Sequence, residues 1–158
     1  MFSILFIKLI PFLVMKHLQI LILNGIHQIK ISTSKIEKMI FVSATRLRIR
    51  SIFYLLKFMR ANEGSIKQLL ITRGFLGGKE LVDKKLTFWT LTMWHDDVAM
   101  KSFRNSAAHK IAMQKLPYWC DEASYVHWMQ EKAEIPLWGN VFKKMIEFLL
   151  SEFIPGLD

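Results

Sequence analysis

His109 follows the break Asn105-Ser106, where an imidazole can turn into a cavity instead of lying along a helix face. With an ordinary pKa of about 6.5, such a group can serve as base, proton shuttle or iron ligand. A plainer reading is a half-exposed histidine helping to cap the following turn. Arg46, Arg48 and Arg50 alternate, so they share one strand face and can present cationic forks to a carboxylate or propionate. A solvated or salt-bridged sheet edge explains the same spacing. His95-Asp96-Asp97 offers types found in metal sites and acid–base pairs. Helix N-capping asks for the same residues. Trp89, Trp94, Trp119 and Trp128, with Phe103, Tyr118 and Tyr125, supply apolar walls for an aromatic or polyene ligand, or simply a core. Cys120 has no activating base, and adjacent Asp121 and Glu122 raise its thiol pKa.

Regular elements must position these groups. Residues 40–49 alternate as a strand, with Phe41, Ser43, Thr45, Leu47 and Ile49 on one face. Ser51 is placed to cap a helical stripe of Ile52, Leu55, Leu56 and Met59. Asn62-Glu63-Gly64-Ser65 interrupts the stripe, predicting a broken helix or two short ones over 52–71. Gly74, Gly77 and Gly78 predict a bulged strand over 74–82, and Asp83-Lys84-Lys85 a turn. The run 86–94, dense in Thr and aromatics, completes an antiparallel hairpin. A helix then starts at His95-Asp96-Asp97, and 107–116 adds further turns that Pro117 stops. Residues 118–122 read as a connector and 124–130 as a fourth strand. The order β-α-β-β-α-β predicts an α+β, ferredoxin-like fold with an antiparallel four-stranded sheet. After Pro136, Phe142, Met145, Ile146, Leu149, Leu150 and Phe153 stripe an extra C-terminal amphipathic helix.

Composition bounds the rest. The chain has 158 residues, 52% of them apolar, and a net charge of +9. Residues 1–38 differ from the rest of the chain: they hold five Lys, no Arg, no Ala and one acid, Glu37. Lys8, Pro11 and Lys16 interrupt their apolar run, which makes a poor membrane span and a poor secretory signal. A membrane-associating segment, an extra element and a mis-assigned start, with Met39 the true first residue, are the readings. The remainder divides into a domain of 39–135 and a tail of 136–158, with only a modest positive balance. One cysteine excludes a disulfide framework, and a cytoplasmic location is the expectation. No GxGxxG, P-loop, HExxH or GxSxG motif occurs. The aromatic signature of RNA-binding sheets is also missing, so no nucleic-acid partner is expected, and no membrane partner for 39–158.

The stretch FWTLTMWHDDVAMKSFRNSAAHKIAMQKLPYWCDEASYVHW, residues 88–128, carries a resemblance. A strand ending in Trp94, a helix with Ala99 and Phe103, then Ser106 and His109 resemble the dimeric α+β barrel family. That family holds antibiotic-biosynthesis monooxygenases, haem-degrading monooxygenases and spheroidene-monooxygenase-like proteins. The likeness spans roughly residues 39–131. It implies a homodimer whose sheets pack into a barrel, each subunit keeping a cavity between sheet and helices. It implies a monooxygenase-like protein that binds a small apolar or aromatic molecule, with His109 as base or shuttle. A non-catalytic ligand-binding or structural barrel is the alternative. Trp89, Trp94, Phe103 and Trp128 become its pocket walls. Haem is the cofactor the resemblance brings, with His109 as ligand and Arg46 and Arg48 on its propionates. The asparagine of haem-degrading members is replaced here by Ser43, Thr45 or Arg46. No metal site is expected.

Overall fold

The protein is described from a computed structural model covering residues 39–83 and 85–153; the readings made for 1–38 lie outside the described residues. Among the described residues, four strands and four helices run in the order β1 (Ile40–Ile49), α1 (Ile52–Leu70), β2 (Phe75–Val82), β3 (Thr87–Trp94), α2 (Asp97–Arg104), α3 (Ala107–Trp119), β4 (Cys120–Gln130) and α4 (Trp138–Phe153). The strands form one sheet of order β2-β3-β1-β4, and every neighbouring pair is antiparallel. This is the ferredoxin-like α+β arrangement that the alternation of apolar periods predicts.

Strand alternation divides the apolar residues between two layers. Val42, Ala44, Leu91, Met93 and Val126 point to one face, where Val141 and Met145 of α4 are buried against them. Helices α1 to α3 cover the opposite face. There Ile49, Leu55, Phe58, Phe88, Leu116 and Cys120 form one cluster, and Trp94, Met100 and Phe103 a second. The terminal helix therefore covers the sheet face opposite α1 to α3.

Three local expectations are corrected. Helix α1 runs unbroken through Asn62-Glu63-Gly64-Ser65. A Cβ on Gly64 would stand 3.5 Å from the Ala108 Cβ, an ordinary contact distance, where α1 packs on α3. That packing offsets a helix-propensity cost of about 1 kcal/mol. Helix α3 continues past Pro117 to Trp119. Arg50 Nη2 donates to the Pro117 and Cys120 carbonyls at 3.1 and 3.0 Å, satisfying acceptors that the ending helix leaves open. Strand β4 begins at Cys120 rather than 124, because β1 is long enough to pair with it there. Losing the guanidinium cap in Arg50→Ala is expected to cost about 1 kcal/mol in urea denaturation.

The hairpin glycines behave as expected. The β2–β3 register shifts between Phe75 and Gly77, and Gly78 lies so close to β3 that a Cβ would meet the Leu91 carbonyl oxygen at 2.5 Å. Backbone cannot swing aside as a side chain can. Gly78→Ala is therefore expected to lower stability by roughly 2 kcal/mol or more, measured by thermal unfolding; an unchanged midpoint would contradict that close approach. No helix among the described residues is long and apolar enough to cross a membrane.

Candidate functional site

A cavity of about 560 Å³ lies between the sheet and helices α1 to α3. Its walls are apolar, including Phe58, Leu69, Phe88, Trp94, Met100 and Phe103. Its floor is polar, for a reason visible in the register. Glu80 pairs with Thr90, Thr90 with Thr45, and Thr45 with Tyr125, so one row crosses the whole sheet. The neighbouring row runs Gly78, Thr92, Ser43, His127. All these side chains except the glycine's line the cavity. Apolar walls and a few convergent polar groups are the usual build of a small-molecule site.

Helix α3 brings His109 to this cavity. Gln68 of α1 accepts a hydrogen bond from the His109 backbone N–H at 2.9 Å. The same side chain donates to the Phe103 carbonyl at 3.0 Å and to Ser106, so one residue clips the junction of α2 and α3. Ala107 is held there with φ of 43°, a left-handed conformation that costs an alanine energy. The His109 ring stacks on Phe103 at 4.3 Å, and its Nδ1 is buried without a partner. Burial, aided by the Arg104 charge, pushes its pKa down to about 4. At neutral pH it is an uncharged imidazole.

Opposite lies a carboxyl that sequence reasoning misses. Asn62 Nδ2 of α1 donates to Glu80 Oε1 at 3.3 Å, while Oε2 is buried and unpartnered. Burial pushes its pKa up to about 7, against the pull of hydrogen bonds from Asn62 and Thr90. Its place between Lys79 and Leu81 in β2 looks solvent-facing; only the alternation from Leu81 outward hints that it turns inward. His127 is a second imidazole on this floor, set between the Phe41 and Tyr125 rings at 5.2 Å each. Its pKa is lowered by burial and then by the charges of Arg104 and Lys101.

The structure brings together Trp94, Phe103, Trp119, Tyr125 and His109 at the cavity and places Trp89, Trp128, Arg46 and Arg48 elsewhere. Trp94 is fully buried, its Nε1 donating to Thr92 Oγ1 at 2.9 Å. Trp89 packs on Phe142 of α4 at 4.7 Å, and Trp128 lies under Lys144; both belong to the α4 layer. Trp89 and Trp94 stand five positions apart, an odd step, so strand alternation alone puts them on opposite faces. Arg46 pairs with Glu122 and stacks over Trp89, and Arg48 donates to Asp121 at 2.8 Å. Neither lines the cavity. Asp96 caps α2, accepting from the Ala99 N–H at 2.8 Å, and Lys101 pairs with Asp97. Cys120 is buried, and burial first, then Asp121, raises its pKa. Among the described residues no cluster of His, Cys, Asp and Glu is arranged to hold a metal ion.

The residues do not make a haem site. The cations assigned to propionates, Arg46 and Arg48, are on the far face of the sheet and locked to acids. The floor beneath His109 is a field of hydroxyls and a buried carboxyl, not the flat apolar faces that a macrocycle stacks on. A smaller ligand with few polar atoms suits this lining better.

The β2-β3-β1-β4 antiparallel α+β fold is that of the antibiotic-biosynthesis-monooxygenase-like proteins. Solved structures share it. A putative antibiotic biosynthesis monooxygenase from Bacteroides thetaiotaomicron is 13% identical with a TM-score of 0.54, the match covering 64% of this chain and 98% of that one. One from Nitrosomonas europaea is 12% identical at 0.50, over 56% and 95%. A variant of SnoaB, a cofactor-independent oxygenase from Streptomyces nogalater, is 10% identical at 0.50, over 59% and 94%. These are likenesses of fold. No protein-family model matches the chain, and no curated protein matches it in sequence.

Proposed function

We propose that this protein binds a small, mostly apolar hydroxyarene in the cavity and catalyses insertion of one oxygen atom from O2 into its ring. The observation that carries the reading is the pairing of apolar walls, Trp94 and Phe103, with a neutral His109 whose buried Nδ1 has no partner. A buried unsatisfied nitrogen costs free energy, and a ligand hydroxyl in the cavity removes that cost. The shared fold with a cofactor-independent oxygenase supports the chemistry by analogy.

An ionised hydroxyarene is electron-rich enough to reduce O2 itself. The ring C–H becomes a C=O, so phenol and O2 give quinone and water. The ring loses four electrons and O2 gains four, one oxygen atom staying on the ring. His109 orients the substrate oxygen through a hydrogen bond, and Trp94 and Phe103 hold the ring and keep bulk water out. An oxygen electrode tests this with phenol- and naphthol-type substrates: uptake should match quinone formed one to one. His109→Ala should lower kcat/KM on the order of a hundredfold. Saturable binding with no uptake would instead leave a non-catalytic ligand-binding protein.

A cytoplasmic location and a homodimer belong with this reading. With α4 covering one sheet face, a second copy would meet its outer side, where Ile146 and Leu150 are exposed. Light scattering on the purified protein counts the subunits; a monomer at tens of micromolar would discard the dimer.

A further inference from the structure

Glu80 is a buried carboxylic acid whose Oε2 makes no hydrogen bond. It stands in β2 and lines the cavity floor at the start of the row Glu80, Thr90, Thr45, Tyr125. Asn62 from α1 occupies Oε1, the Thr90 hydroxyl also favours the charged carboxylate, and Oε2 meets no partner. Lys79 does not neutralise it: that ammonium turns to the other face, donating to the Pro136 carbonyl and lying 4.8 Å over the Trp138 ring. Among the described residues no cation forms an ion pair with Glu80. A carboxyl without a cation or a full set of donors is costly in such a place. Asn62 and Thr90 are neutral, and the charged or titratable groups that share the cavity are Arg104, His109, His127, Tyr125 and the Cys120-Asp121-Glu122 end of β4.

We infer that Glu80 is a further catalytic residue, whose Oε2 accepts the proton of the substrate hydroxyl. This rests on the oxygenase reading and names what that reading leaves open, the base and the end of the site that receives the O–H. In the step, the substrate O–H bond breaks, an O–H bond forms on Oε2, and the electron pair stays on the substrate oxygen as arenolate. No oxidant enters until O2 meets the ring. The division of labour with His109 arises from their environments. A base is most effective when its pKa lies near the working pH. Glu80, pushed up to about 7, meets that condition, whereas His109, near 4, is a weak base suited to hydrogen bonding. The threonine row gives the proton a hydroxyl-lined way toward Tyr125, which is exposed on the edge strand.

Binding of 2-naphthol and of its methyl ether, followed by fluorescence, tests the contact without relying on turnover. The two probes share a shape and differ in the donor. At pH 8 the protein should prefer naphthol by about tenfold or more. The preference should grow as pH rises through about 7, when the stronger acceptor forms. In Glu80→Gln it should fall to within about threefold and lose that pH dependence; Glu80→Asp should keep part of it. Equal affinities in the unaltered protein, or an undiminished preference in a folded Glu80→Gln variant, would overturn the inference. Oxygen uptake separates it from the broader reading. Unchanged kcat in Glu80→Gln leaves the oxygenase reading and removes the base. Absent uptake with the naphthol preference intact removes the oxygenase reading and leaves the hydroxyl contact.

Discussion

Trp94→Ala is expected to lower stability by about 4 kcal/mol, and to abolish ligand binding along with it. Trp94 is fully buried at the end of β3, its ring 5.4 Å from Phe75 and 5.3 Å from Phe103. Truncation removes transfer free energy and leaves a void that strand backbone cannot collapse to fill. Because the indole is also a cavity wall, the void merges with the binding site, and Phe103 loses its support beneath His109. The effect on the melting temperature is on the order of 15 °C. Trp94→Phe should retain most of the stability, losing the hydrogen bond to Thr92. Trp89→Ala is the informative contrast, since Trp89 is only partly buried in the other layer. It should destabilise less and leave ligand affinity within about twofold. Calorimetry with ligand titration reads both quantities, and equal ligand losses in the two variants would contradict the two-face division.

The second large effect is a pair of opposed pH dependences. Glu80 is raised from 4.5 to about 7, so the folded protein holds a proton there that the unfolded chain has lost. Its contribution is present below about pH 4.5 and is lost as pH rises through 7. His109 is lowered from 6.5 to about 4, so the unfolded chain binds a proton that the folded one refuses. Its contribution is present above 6.5 and is lost as pH falls through 4. Each shift corresponds to about 3 kcal/mol. Between pH 4.5 and 6.5 the two slopes largely cancel. Removing one partner exposes the other. Relative to the unaltered protein, His109→Phe should gain stability as pH falls from 7 to 4.5, and Glu80→Gln should gain as pH rises from 4 to 7. Urea denaturation across that range measures both differences. Parallel curves for the three proteins would mean that neither group is desolvated as described.

These two groups also mark how far the site can be read from the residues alone. His109 is legible because a helix break at Asn105-Ser106 and a lone imidazole are local signals. Trp94 and Phe103 are legible as strand-end and helix-face aromatics. Glu80 carries no such signal, since a glutamate beside a lysine in a strand is ordinary surface composition. Arg46 and Arg48 look like free cations because Asp121 and Glu122, their partners, lie far away in the sequence. Gly64 and Pro117 look like breaks because local propensity disfavours both; helix contact and the Arg50 cap override it.

The order of elements, the α+β class, a cap at Ser51, another at Asp96 or Asp97 and the alternation that sorts each strand into two faces are legible in the residues alone. These come from periods of 2 and 3.6 residues and from side chains that bond their own neighbours, all within a few positions. Contacts between distant segments place α4 on one sheet face, gather Glu80, His109 and Trp94 in one cavity, and poise the acid near neutrality while His109 stays uncharged. Desolvation and charge pairing depend on what other elements bring within a few ångströms, and local patterning carries no record of that.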